Sequence, residues 1–386
     1  MKRLLTFLGA MIFMAGSVVS AQEVDSSAPQ QISSSEDAQN LEVVDYIPDI
    51  SLDAKYSYGH TIPGKSGGFG GDGLYLNIDG KISKRFSYSL NHILSSSAGE
   101  DGSVFDNTCW LTLSYEANNF AVTLGKDALL VGSFEYDAYD LDSYFDMNSM
   151  FYNTFACWQW GVSASWTNDA ETSSFIAQVA NSPFVEAPFE DNLYAYGLAW
   201  RGEWDCYESY WTVNMWEYER GKFVKALNLG NMFYAGDFSL MLDGMLRGAR
   251  VKDMLRDVTV SVMPAYEFGD MFRLFGKVGW EKSHSLQPYD FMGEYAELED
   301  MIASNDETTA VMPDYILPGE DYIFYGAGLE YFPLKEDKSL RLHAAWMSNN
   351  YTGRHAITVG ATWKFDVTRA IKNIVARKHK CAGECK

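Results

Sequence analysis

Lys126, Glu135, Asp137, Asp140, Asp142 and Asp146 all fall within residues 125–157 of this 386-residue chain. A run of carboxylates concentrates negative potential, which draws cations and repels anions wherever solutes pass close by. Such oxygens can also hold Ca²⁺, but no loop of fixed ligand spacing is visible. The run reads equally as an ordinary solvated acidic loop, and the sequence leaves these alternatives open. Nucleophilic catalysis has less to work with. The chain has 6 His, His92 and His343 stand apart in sequence, and no nucleophile elbow is recognisable. A hydrolase on a barrel wall would need Ser, His and an orienting polar group to converge on one patch. No enzymatic activity, cofactor or metal site is therefore expected. Five cysteines (Cys109, Cys157, Cys206, Cys381 and Cys385) show no repeated spacing of a zinc site, and their pairing cannot be read from sequence. A formal charge of −22 excludes a nucleic-acid binder, which needs a basic footprint.

The elements that must carry these charges are strands. Ile50, Leu52, Ala54, Tyr56 and Tyr58 alternate with Ser51, Asp53, Lys55 and Ser57. Period two over such a stretch gives one apolar and one polar face. The pattern recurs at 74–83, 86–91, 108–116, 120–124, 158–166, 174–180, 193–200, 207–218, 223–233, 238–247, 258–267, 271–281, 322–331, 340–348 and 356–365, about sixteen segments in all. No apolar run after the N-terminus is long enough for a transmembrane helix. A closed barrel, however, satisfies its backbone polar groups in lipid without one. The 11 Trp, 24 Tyr and 23 Phe fit aromatic girdles, with Tyr194, Tyr196, Trp200, Trp204, Trp363 and Phe365 as candidates. A soluble sandwich or propeller is disfavoured because the partner face is rich in Ser, Thr, Asn and mixed charge, as a wet lumen would be.

The connections alternate in length. Short ones (84–85, 117–119, 168–171, 202–206, 235–237, 269–270, 333–339) separate long ones (60–72, 95–106, 125–157, 181–191, 282–321), with 219–221 and 349–354 as brief exceptions. This is the pattern of an all-β transmembrane antiparallel barrel with short periplasmic turns and long extracellular loops. The N-terminus agrees with it. Lys2 and Arg3, the apolar stretch 4–14 and Val19-Ser20-Ala21 have the order of a cleavable signal peptide, residues 1–21. Residues 22–46 read as a flexible acidic, Ser-rich leader, 47–366 as the barrel, and 367–386 as a basic periplasmic tail, helical or disordered. By phase, the lumen receives Lys55, Lys81, Arg247, Arg273, Lys277 and Arg341 against Asp53, Asp79, Glu116, Asp243, Glu267 and Glu281. The near balance implies a transverse field. The acidic run tilts the expectation towards weak cation preference or general small-solute diffusion. Trp110, also inward by phase, is a candidate for stacking on sugars.

Phe120-Ala121-Val122-Thr123-Leu124-Gly125-Lys126, followed by Phe134-Glu135-Tyr136-Asp137, resembles the strand-then-loop signature of the phosphate-selective porin O/P-like family. Trp160-Gly161-Val162-Ser163-Ala164-Ser165-Trp166, leading to Gln178-Val179-Ala180-Asn181-Ser182-Pro183-Phe184, resembles it too, and the likeness is clearest over 79–184. The resemblance implies a sixteen-stranded, homotrimeric porin of the outer membrane whose third extracellular loop folds inward to constrict the pore. Residues 125–157 occupy that loop's place. Lipid, lipopolysaccharide and small solutes or ions are then the expected partners. The acidic charge of 125–157 departs from the arginine and lysine ladders of phosphate-selective members. Two other readings, a surface adhesin or receptor platform built on 282–321 and a barrel-wall hydrolase, stand behind the porin reading.

Overall fold

The computed structural model describes residues 46–64, 67–94, 105–138, 144, 149–152, 157–184, 192–284, 313, 316–334 and 337–372. Every alternating segment forms a strand: β1 (Asp49–Ile62), β2 (Gly67–Lys81), β3 (Phe86–Ile93), β4 (Thr108–Ala117), β5 (Phe120–Ala128), β6 (Trp158–Thr167), β7 (Ser173–Asn181) and β8 (Tyr194–Trp204). The second half comprises β9 (Tyr207–Glu219), β10 (Lys222–Ala235), β11 (Phe238–Gly248), β12 (Asp257–Phe268), β13 (Phe272–Lys282), β14 (Asp321–Tyr331), β15 (Leu340–Asn349) and β16 (His355–Asp366). Each strand pairs antiparallel with its sequence neighbours, and β1 pairs with β16 from Ser51–Asp366 to Ile62–His355. The sheet closes, so its backbone groups need no water on either side.

The wall is apolar on the outside. Leu124, Leu198, Val213, Leu274, Val278 and Val359 point away from the lumen and are 48–64 % exposed. A continuous apolar belt of this kind faces hydrocarbon, which makes this an outer-membrane barrel. Tyr194, Tyr196, Trp204 and Trp363 are exposed on the same surface, whereas Trp200 and Phe365 are half-buried.

Expected boundaries move, among them the start of the third long connection, since β5 runs on to Ala128. Residues 60–72 are not a long loop, because β1 runs to Ile62 and β2 starts at Gly67, leaving only 63–66 between them. The glycine-rich start of β2 pairs through its backbone, Gly67–His60 to Gly71–Tyr56, and shows no side-chain alternation to read. The turn expected at 202–206 likewise shrinks to 205–206, since β8 continues to Trp204 and pairs it with Tyr207.

Both ends of the barrel chain lie on the rim of short turns. Residues 367–372 are helical. There the Thr368 hydroxyl accepts the Ile50 N–H (2.9 Å) and donates to the Pro48 carbonyl (2.8 Å), tying the end of the wall to its beginning. The signal peptide, the leader to residue 45, Asp140, Asp142, Asp146, most of 282–321, Cys381, Cys385 and the tail beyond 372 lie outside the described residues.

Candidate functional site

The segment that follows β5 enters the barrel and is bonded to side chains on β7, β9, β11, β13 and β14 of the inner wall. Gln178 on β7 accepts the Leu130 N–H (3.0 Å) and donates to the Ala128 carbonyl (2.8 Å). Thr212 on β9 donates to the Val131 carbonyl (2.9 Å). Asp243 on β11 accepts the Ser133 hydroxyl (2.7 Å) and the Glu135 N–H (2.8 Å). Lys277 on β13 meets Glu135 at 2.5 Å. Farther along, Tyr144 donates to Glu330 on β14 (2.7 Å), and Ser149 donates to Glu281 on β13 (2.5 Å). Gly132 shows how close this approach is. Its φ is +73°, and a Cβ there would lie 2.6 Å from the Thr212 hydroxyl.

Beneath these bonds the inner wall is packed. Leu129, Val131 and Phe151 of the segment bury against Trp216, Val224, Ala226 and Met245. Tyr144 and Met150 bury against Phe275, Tyr322, Phe324 and Met347. The uniformly polar, wet inner face expected from sequence is therefore corrected on β9–β15. Protein, not solvent, fills the lumen there, so the inner face takes core residues.

Most of the charges on the inner wall here are paired. Arg247 and Glu281 stand 3.1 Å apart at 0 and 1 % side-chain exposure, bridged by the Thr259 hydroxyl. Lys277 and Glu135 are at 3 and 4 %. Glu330 accepts Arg273 (2.9 Å) and lies 3.7 Å from Arg341. Arg201 pairs with Asp137 and stacks 3.8 Å over the Tyr210 ring. Lys55 lies 5.3 Å over the Tyr144 ring, on which His343 also stacks at 4.3 Å. His343 is thus part of this cluster, not isolated. Asp53 accepts the Asn77 amide (2.9 Å), and Glu267 pairs with Lys338 at the chain-end rim (2.9 Å).

The inner face of β3–β7 differs. Ser87, Ser89, Thr112, Ser114, Thr123, Ser163 and Ser165 are half-exposed, opposite the outward Leu113, Val122, Leu124 and Val162. Their hydroxyls bond along the wall: Ser114 with Thr123 (2.8 Å), Thr167 with Ser174 (2.8 Å), and Trp110 donating to Ser89 (2.7 Å). Asp79, exposed, accepts the Ser89 hydroxyl at 2.5 Å, while Lys81 and Glu116 are exposed beside it on the same phase. Asp127 accepts the Ala128 N–H (2.8 Å) and lines a wall notch with Thr123, Gln159, Ser163 and Gln178. Lys126, expected in the inward loop, lies instead on β5 and on its outward phase, opposite Leu111 and Trp160, where it donates to the Phe105 carbonyl at 2.7 Å.

Residues missed by sequence reasoning include Glu330, Arg201, Asp127 and Gln178. Asp127 sits next to Lys126 and was legible by proximity. Arg201 was lost when β8 was ended at Trp200. Glu330 shares its phase with Tyr322 and Phe324, which disguises the inward face of β14. Among the described residues, Ser283, His284 and Asp257 come together: Ser283 donates to Asp257 (3.0 Å), and the His284 ring lies 3.2 Å from the Arg256 carbonyl. These bonds brace the far rim of β12 and β13.

No family model matches the chain, and no curated protein matches it. Solved structures do. The chain is similar to the outer membrane channel DcaP of Acinetobacter baumannii at 12% identity, covering 83% of this chain and 97% of that one, with a TM-score of 0.56. It is similar to the anion-selective porin from Comamonas acidovorans at 12% identity, covering 82% and 99%, TM-score 0.55. It also matches the trimer form of OmpT, an outer membrane protein of Vibrio cholerae, at 10% identity, covering 82% and 99%, TM-score 0.52. At these identities the likeness is one of fold.

Proposed function

We propose that this chain is a porin, an outer-membrane barrel that lets ions and small hydrophilic solutes diffuse through a water-filled path narrowed by its third exterior connection. The observation that carries this reading is that residues 129–138, 144 and 149–152 are anchored across β7–β14 while the inner faces of β3–β7 stay half-exposed and hydroxyl-lined. A barrel built only as a surface platform has no need of a polar, accessible strip running beside a packed inner segment. Lipid and lipopolysaccharide contact the outer belt in this reading, and the trimer form of the Vibrio cholerae relative in fold favours a homotrimer. The phosphate selectivity implied by the family resemblance is not carried over. Glu135 and Asp137 place carboxylates where that function needs cations, and the wall cations beside them are already paired.

The test is single-channel recording from refolded protein in planar bilayers, with heat-modifiable gel mobility as the check on folding. Discrete conductance steps are expected. Folded barrels that pass no current would overturn the proposal in favour of the platform reading.

A further inference from the structure

We infer that charge selectivity is set on the wall of β2, β4 and β5, by Asp79, Glu116 and Asp127, and not by the carboxylates of the inward segment. This rests on the porin reading and names the residues that choose its solutes. Glu135 and Asp137 are each bonded to a wall cation, Lys277 and Arg201, so at any distance beyond the contact each pair presents little net charge. Arg247, Arg273 and Arg341 are spoken for in the same way by Glu281 and Glu330. Five wall cations thus meet four carboxylates, with Glu330 shared by Arg273 and Arg341, so most of the positive charge that would otherwise draw anions is cancelled.

On the accessible face the carboxylates meet neutral donors. Asp79 accepts a serine hydroxyl, and Asp127 accepts a backbone N–H. Glu116 is exposed on the inward phase of β4 with Thr112 and Ser114. The charged groups near them are Lys81, exposed and two residues beyond Asp79 on the same face of β2, and Asp137 of the inward segment, whose charge Asp127 feels. Arg85 lies at the chain-end turn with its guanidinium on the Tyr115 hydroxyl (3.2 Å). Asp127 sits at the end of β5 away from the chain termini, and Asp79 and Glu116 at the ends near them. The three carboxylates therefore mark both ends of the accessible strip. A cation entering from either mouth meets negative potential first, in a narrow, partly low-dielectric path that strengthens it. Small monovalent or organic cations are the favoured solutes.

Reversal potentials across planar bilayers under a KCl gradient test this. The wild-type protein is expected to show cation preference. The triple variant Asp79→Asn/Glu116→Gln/Asp127→Asn keeps the shape of each side chain, and its reversal potential is expected to fall to zero or change sign. The paired variant Asp137→Asn/Arg201→Gln removes one charge of each sign from the inward segment's contact and is expected to keep the wild-type value. Unchanged cation preference in the triple variant, with conductance intact, overturns this inference alone. Loss of preference in the paired variant instead overturns it in favour of the inward segment. A wild-type barrel that folds but passes no current overturns the porin reading, and this inference with it.

Discussion

The inner face of β9–β15 and the inner face of β3–β7 belong to one closed sheet, yet they have opposite chemistry. The first carries Trp216, Val224, Phe275, Tyr322 and Phe324 together with buried ion pairs, all under the inward segment. The second carries hydroxyls and carboxylates that solvent reaches. A barrel wall has no fixed rule for its inner face. That face is polar where water fills the lumen and core-like where protein does.

The largest effect separating the halves is expected at Arg247. Arg247→Ala leaves Glu281 charged and buried, and losing one partner of such a pair costs about 3–5 kcal/mol. Urea unfolding in detergent micelles should show it as a lowered midpoint. A midpoint like the wild type's would mean that this half is wetter than its geometry indicates. Next comes Asp243→Ala, which removes the acceptor for two bonds from the inward segment. Leaving those donors unmet costs about 1–3 kcal/mol, and the released segment should raise single-channel current noise. Smallest is Ser163→Ala on the accessible half, within about 0.5 kcal/mol of the wild type. A large loss there, measured in the same unfolding experiment, would erase the contrast.

The strands were legible because lipid enforces alternation on the outer face whatever the inner face does. Leu74, Leu76 and Ile78 identified β2 even though its glycine-rich start did not. The alternation of long and short connections also set the two rims apart, although 60–72 shrank to 63–66. What sequence could not supply was the interior. In β14, Tyr322 and Phe324 face in while Ile323 and Leu329 face out, so period two has no polar side to follow, and Glu330 is hidden among aromatics. The lumen charges could be assigned to the inward phase, but their partners could not. Lys277 finds Glu135 and Arg201 finds Asp137 across the barrel, at separations no local pattern encodes. That pairing reverses the weight of the acidic run: its two described carboxylates that contact the wall are matched there, and the accessible ones are elsewhere.

The central claim, that solutes move along β3–β7 and not along β9–β15, is tested most directly by thiol block in a cysteine-free background. Ser163→Cys on β6 and Ser261→Cys on β12 are compared in planar bilayers while a charged methanethiosulfonate reagent is added. The account predicts a stepwise fall in conductance for the β6 thiol and none for the β12 thiol, since Ser261 is buried. Block at β12 with no effect at β6 would contradict it.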